Sequence, residues 1–363
     1  MEKILQYAID NGASDIHIGS GCEAWIRTNG RITKGGYKVM PSEMDEFVMQ
    51  YIPSILKEYK RIRDNGETNP VDAAFTYNGR RFRINVFRSV NGVNMAIRLL
   101  SDKIFTLNEL NLPKALDKFT KIKNGLFLVV GTTGSGKSTT LASIINAINR
   151  DRTENIITIE QPIEYLHSSE MCRITQIEVG THIRSFDEAT RSALRQDPDI
   201  ILVGEMRDLE TIQNAITLAE TGHTVYGTLH AKSVTDTIDR IVDVFPPESQ
   251  EQIRVELGGV LKGILHQTML AGTDGKPVPL VEMLAVDDTV ASMIRSKQKS
   301  NAVRDYARTM TQIGNVHITD NAIWHIMNNR LELEDVKGYL SDADYAIVKS
   351  VIEQNTSRGG FYD

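Results

Sequence analysis

The stretch GTTGSGKSTT, residues 131–140, restricts what this chain can fold into more than any other. Gly131, Gly136, Lys137 and Ser138 stand at the spacing G-x-x-x-x-G-K-[ST], with apolar LFLVV before them and the helical pattern STTLASIINAINR after. Strand, glycine-rich turn and helix in that order make a cradle for phosphate. The turn, Gly131, Thr132, Thr133, Gly134, Ser135 and Gly136, exposes backbone N–H groups, and the helix that opens with Lys137, Ser138 and Thr139 adds the positive end of its dipole. Lys137 then reaches the β- and γ-phosphates, and the Ser138 hydroxyl reaches Mg²⁺, so ATP with Mg²⁺ is the expected ligand.

The rest of the chain supplies a matching fold. GLFLVV, NIITI, IILVG and TVYGTL are short, continuous apolar runs joined through helical patterns, which is how a parallel sheet covered on both faces is written. Before them lies an α+β region. SDIHI and AWIRT alternate, Asn29-Gly30 supplies a turn, and Ser42 with Asp45 reads as a capping box opening a helix to about Arg63 that Pro53 kinks. Strands are expected near 71–77, 80–88 and 93–100, separated by turns at Asn78-Gly79 and Asn91-Gly92. A connector with a short helix follows, and from about residue 285 the pattern is helical to a flexible end, TSRGGFYD. The expected class is α/β, with a parallel-rich nucleotide-binding domain, a small α+β domain before it and helices after it.

Composition narrows the function. With 363 residues there is room for two or three compact units. The net charge of −6 and scattered basic residues disfavour nonspecific nucleic-acid binding. Cys22 and Cys172 are far apart and form neither a disulfide framework nor a four-thiolate zinc site, which suits a reducing cytosol. The start MEKILQYAIDNG is amphipathic, with Ile4, Leu5, Ala8 and Ile9 on one face, and is no signal peptide. No apolar run reaches the ~18 residues that span a bilayer, so any membrane contact is expected to be peripheral.

Hydrolysis needs carboxylates beside the phosphate. Glu205 ends the strand in DIILVGEMRD, where α/β sheets gather ligands, and Glu160 and Glu164 follow the strand in ITIEQPIEY. Any one of them alone could equally cap a strand or meet a lysine. His223 precedes and His230 follows the strand in TGHTVYGTLHAKS; each is either a structural histidine or a sensor of the γ-phosphate. Arg191 and Arg195 are placed four apart on a helix ended by Asp197-Pro198, as surface residues or as neutralisers of transition-state charge. In RRFRINVFR the alternation puts Phe82, Ile84 and Val86 on one face and Arg81, Arg83 and Asn85 on the other. That polar face is either solvated or a donor of arginines.

Taken in order, GTTGSGKSTT, ITIEQPIEY, ILVGEMRDLETI, TGHTVYGTLH and TIDRIVDVFP resemble the Walker A, Asp-box, Walker B and His-box signatures of the type II/IV secretion ATPases, and among them the type IV pilus retraction ATPases. The similarity runs from SDIH to beyond VDVFP. It implies a PAS-like domain over 1–101, a linker over 102–121 and a RecA-like ATPase domain over 122–363, assembled as a ring-shaped homohexamer. By the same resemblance Glu164 activates water, Glu205 is the Walker B acid beside Mg²⁺, and His223 and His230 form the His box. Arg81, Arg83 and Arg98 fall where the N-terminal domain offers arginines to the γ-phosphate. The implied role is a motor at the cytoplasmic face of the inner membrane that docks on a pilus platform protein and drives retraction, without nucleic acid. A DotB-like or conjugation-associated secretion ATPase is the alternative. Three departures stand out: Gln161 where the family has Asp, Thr132 where Pro is common, and TVASMIRS in place of AIRNLIRE, with Ala291 and Ser292 for Arg-Asn but Ile294 and Arg295 kept.

Overall fold

The computed structural model describes residues 1–28, 30–100 and 103–357, and the chain sorts into two compact units. The first unit is Met1–Ile104 together with Glu160–Ser168 and Gln176–Ser185; the second is the remainder. Asn29 of the expected Asn29-Gly30 turn and the end of the TSRGGFYD segment, 358–363, lie outside the described residues.

In the first unit, helix α1 (Glu2–Asp10) buries Ile4, Leu5 and Ala8, with Ile9 packed beside them. The strands are β1 (Asp15–Gly19), β2 (Glu23–Thr28) and β3 (Arg31–Lys38), then β4 (Val71–Tyr77), β5 (Arg80–Ser89) and β6 (Gly92–Leu99). They form one sheet in the order β3-β2-β1-β6-β5-β4, antiparallel throughout. Helices α2 (Pro41–Tyr51) and α3 (Leu56–Lys60) lie between β3 and β4 in the chain. Phe47, Phe75 and Phe82 meet in the core, the last two stacked at 5.0 Å.

Two local expectations shift. Pro41 takes the first position of α2, where its missing N–H costs nothing, so the cap falls on Met40, whose backbone N–H donates to the Glu43 carboxylate at 2.9 Å; Ser42 and Asp45 are not the capping pair. Pro53 does interrupt the helix, with a 3-10 turn over Pro53–Ile55 before α3. At the hairpins, Asn78 and Gly79 have φ of 47° and 75°, the two positive angles a type I′ turn requires. The second hairpin turns on Val90 and Asn91 instead, because Ser89 pairs with Gly92 and only Gly92 has positive φ.

The second unit carries β7 (Gly125–Val130), α4 (Lys137–Asp151), β8 (Asn155–Glu160), β9 (Arg173–Glu178), α5 (Phe186–Ala193), β10 (Ile200–Val203), α6 (Leu209–Glu220) and β11 (Thr224–Leu229). Helices α7 (Val234–Asp243) and α8 (Gln250–Val260) then lead to β12 (Leu261–Ala271) and β13 (Pro277–Ala285). The sheet order is β13-β12-β7-β11-β10-β8-β9; β12, β7, β11, β10 and β8 run parallel, and β13 returns antiparallel to β12. Every residue of β7, β10 and β11 is buried, which is why those strands read as largely apolar runs rather than alternation. Helices α9 (Asp288–Arg295), α10 (Ser300–Thr309), α11 (Ile318–Met327) and α12 (Asp342–Ser357) complete the described residues, as the helical pattern after 285 predicts. Among the described residues no helix is long and apolar enough to cross a membrane.

Candidate functional site

Parallel strands end together, and loops that follow them collect at one edge of the sheet. Val130 of β7 lies opposite Leu229 of β11, and Val203 of β10 lies opposite Gly227, so the turn 131–136, the turn after Val203 and His230 all leave the same edge. Gly131 is sterically obligatory, and Gly136 is favoured by its backbone angle. Gly131 and Gly136 have φ of 150° and 86°, and a Cβ at Gly131 would stand 2.2 Å from the Gln267 carbonyl oxygen. At Gly136 it would stand 2.7 Å from Gln267 Nε2. Thr132, Thr133 and Gly134 are exposed, whereas Ser135 is buried. Lys137 folds back to donate from Nζ to the carbonyls of Gly131 (3.0 Å) and Thr132 (2.9 Å). Ser138 is exposed in the first turn of α4, and Thr139 follows it half-buried.

Glu205 stands at this edge. The turn that carries it is fixed on β11: Met206 N donates to the Thr228 carbonyl at 2.9 Å, and Thr228 Oγ1 donates to the Gly204 carbonyl at 2.5 Å. Its carboxylate meets Arg207 Nη2 at 2.5 Å and His230 Nε2 at 3.1 Å. Burial works to raise the Glu205 carboxyl, but the hydrogen bond and charge of Arg207, with His230 and Lys137, outweigh it and hold the group below the usual carboxylate range. The ionised Glu205 carboxylate and the exposed Ser138 hydroxyl are oxygen donors of the kind Mg²⁺ takes, and the Lys137 ammonium suits phosphate oxygens. Among the described residues no cluster of three His, Cys, Asp or Glu could hold a metal unaided.

His223 does not join this group. It precedes β11, at the opposite end of that strand, with Nδ1 3.0 Å from both Thr221 Oγ1 and the Leu218 carbonyl, so it caps the end of α6. Seven residue steps at ~3.3 Å each separate it from His230, about 23 Å. His223 thus packs against the end of α6 rather than beside Glu205. Arg195 is also displaced: α5 ends at Ala193, before Asp197-Pro198, leaving Arg195 in the turn beyond it, while Arg191 pairs with Asp187 within the helix.

In the first unit, Arg81 is not a free guanidinium. Its Nη2 pairs with Glu178, which is 3% exposed, and its Nε donates to the Ile163 carbonyl at 3.2 Å. Glu178 also accepts from Ile163 N (3.1 Å) and Thr181 Oγ1 (2.8 Å). Arg81 thus ties down the loop that carries Glu164. That carboxylate is half-buried and engages no described residue, while Glu160 accepts from Gln176 Nε2 at 3.3 Å. Arg83 lies 3.7 Å from Asp72 and is largely solvated, and Arg98 donates to Asp15 at 2.8 Å.

Sequence reading missed Gln267. It lies on β12, 2% exposed, and touches the phosphate turn at several points. The signal was a carboxamide in the strand-like run GILHQTML.

The family model described as "Type II/IV secretion system protein" matches residues 1–338. The type IV pilus retraction ATPase PilT of Pseudomonas aeruginosa is 40% identical over 294 residues, covering 81% of this chain and 84% of that protein. The type IV pilus ATPase PilU of the same organism is 35% identical over 349 residues, covering 94% and 89%. Among solved structures, the pilus retraction motor PilT with bound ADP superimposes with a TM-score of 0.83 at 37% identity, covering 94% of this chain and 97% of that one. The ATPase DotB of Legionella pneumophila gives 0.79 at 26% identity, covering 96% and 95%.

Proposed function

Because the chain belongs to the type II/IV secretion system protein family, we propose that it is an ATP-hydrolysing motor that powers retraction of a type IV pilus. The observation that carries this reading is the gathering of the glycine turn, Lys137, Glu205 and His230 at one edge of a parallel sheet, in a chain 40% identical to a pilus retraction ATPase. The backbone N–H groups of 131–136, with Lys137 and the start of α4, bind and orient the phosphates of ATP. Ser138 and Glu205 hold Mg²⁺, which neutralises charge on the phosphate oxygens when bound. Glu164 orients the attacking water, and His230, resting on Glu205, reports on the γ-phosphate. Arg83, solvated in this chain, is the arginine available to that phosphate; Arg81 is already engaged.

In this reading 1–101 is a PAS-like domain, 102–121 a linker and 122–363 a RecA-like domain. The chains close into a homohexamer, on the cytoplasmic side and only peripherally at the inner membrane, and push against a pilus platform protein. A DotB-like secretion role is the second reading. It is favoured by Ala291 and Ser292 in place of Arg-Asn on α9 and by the DotB superposition.

Purified protein tests the chemistry. Lys137→Ala is expected to abolish ATP hydrolysis, and Glu164→Gln to retain ATP without turnover. Arg83→Ala is expected to lower turnover without unfolding the chain. Normal turnover by the Glu164 variant would overturn its assignment. Deleting the gene separates the two roles: surface pili that accumulate without retracting support the motor, and normal pili with a lost secretion phenotype refute it.

A further inference from the structure

We infer that Gln267 is a positioning residue of the nucleotide site, which aims the phosphate turn from behind; the inference rests on the nucleotide reading of that turn. A single buried side chain on β12 makes both of its hydrogen bonds there. Its Nε2 donates to the Ser135 carbonyl at 2.6 Å, and its Oε1 accepts from Thr140 Oγ1, in the first turn of α4, at 2.8 Å. The orientation of the amide is set by chemistry, because a carbonyl oxygen can only accept. The backbone of the same residue and its side chain occupy the space that a Cβ at Gly131 or Gly136 would need.

The consequence for the ligand follows from peptide geometry. Among the described residues the cis peptide is Gln161-Pro162, so the Ser135–Gly136 peptide is trans and its C=O and N–H point in opposite directions. Pulling the Ser135 carbonyl toward β12 turns the Gly136 N–H away from β12, into the mouth of the turn. The second hydrogen bond, from Thr140, fixes the amide that does the pulling and ties it to the helix whose N-terminus faces the same mouth. Gln267 therefore holds a phosphate donor in its binding orientation before nucleotide arrives, and touches neither phosphate nor metal.

A residue that only supported the core would lower stability and leave affinity alone. Binding of fluorescent ADP and steady-state ATP hydrolysis separate the two. Gln267→Met keeps the side-chain length and removes both hydrogen bonds. It is expected to weaken ADP binding about 10-fold and to raise KM for ATP by a similar factor, with kcat changed less than about 2-fold, since an unpaired buried carbonyl lets the turn relax. Gln267→Glu sets a carboxylate oxygen against the Ser135 carbonyl. Two facing acceptors repel, whereas the protonated acid can donate. Its affinity relative to wild type is expected to recover as pH falls from about 8 to about 5.5, a step no merely structural residue would produce.

Thr140→Val, which retains volume, is expected to weaken ADP binding about 3-fold and keeps the test open if the Gln267 variants do not fold. Wild-type binding with affinity unchanged in Gln267→Met, or in Thr140→Val if that is the variant that folds, overturns the inference alone. Wild type that binds no nucleotide overturns the reading of the turn, and the inference with it.

Discussion

Arg81 offers the sharpest test of how the first unit is built. Sequence alternation places it on a polar strand face beside Arg83, yet the two arginines sit in opposite environments: Arg81 is 15% exposed and paired with a carboxylate that is 3% exposed, whereas Arg83 is 43% exposed. Arg81→Ala leaves Glu178 as a buried anion with two neutral donors, Ile163 N and Thr181 Oγ1. Stranding one partner of a buried pair costs about 3–5 kcal/mol, and the surviving donors bring the expected loss to the lower end, about 3 kcal/mol. Arg83→Ala removes a solvated partner of Asp72 and is expected to cost less than about 1 kcal/mol. The pair lies within one unit, so native-state hydrogen exchange, which resolves local opening, is the appropriate assay, read at the amides of Ile163 and Val179. Arg81→Met with Glu178→Leu removes both charges and is expected to recover most of the loss. An Arg81→Ala opening free energy within about 0.5 kcal/mol of wild type would refute the buried-pair argument and return Arg81 to the solvated face.

Two further outcomes follow from the second unit. Gly131→Ala would place a Cβ 2.2 Å from a backbone oxygen at φ of 150°, so thermal unfolding should report a loss of about 3 kcal/mol or more, and ADP binding should vanish; a folded variant that binds ADP normally would contradict the packing of the turn. His325 is fully buried, with Nε2 3.0 Å from the Pro279 carbonyl, and burial with the Arg330 charge lowers its pKa from 6.5 to about 4 against the pull of that carbonyl. Between those values the unfolded chain binds the extra proton, so stability is complete above about pH 6.5 and is lost as pH falls toward about 4, by about 3 kcal/mol for this residue. His325→Gln keeps a donor for Pro279 and cannot titrate; urea unfolding at a series of pH values should show a flatter acid limb, and an unchanged limb would exclude His325 as its source.

The parts of the fold that were legible in sequence are those where one physical rule acts alone. β7, β10 and β11 are buried on both faces, which favours apolar side chains at nearly every position, so their runs announced a parallel sheet. Asn78-Gly79 announced a hairpin because two consecutive positive φ values admit few residues. Where rules compete, reading was less exact. The Ser42 and Asp45 pattern suggested a start for α2, but the helix begins at Pro41 because proline's fixed φ suits the first helical position. At Asn91-Gly92 the pairing of Ser89 with Gly92 moved the turn back by one residue.

The site divides along the same line, and the division explains why Gln267 escaped. Motifs are local, so the glycine turn and Glu205 could be found from their own neighbours, whereas partners supplied by distant strands could not. His223 and His230 look alike in sequence, each beside the same strand, and only the direction of that strand separates the one that meets Glu205 from the one that caps α6. Arg81 and Arg83 alternate onto one face, and only the presence of Glu178, 97 residues away, distinguishes them. Gln267 is 132 residues from the carbonyl it holds. Yet burial of an amide without a partner costs several kcal/mol, so a Gln at a buried position of a central strand is itself a statement that a second polar group lies opposite. In a chain whose glycine turn must leave carbonyls facing the sheet wherever its N–H groups face phosphate, those carbonyls are the groups in need of a donor. The same peptide planes that make the turn a phosphate cradle thus create the demand that Gln267 meets.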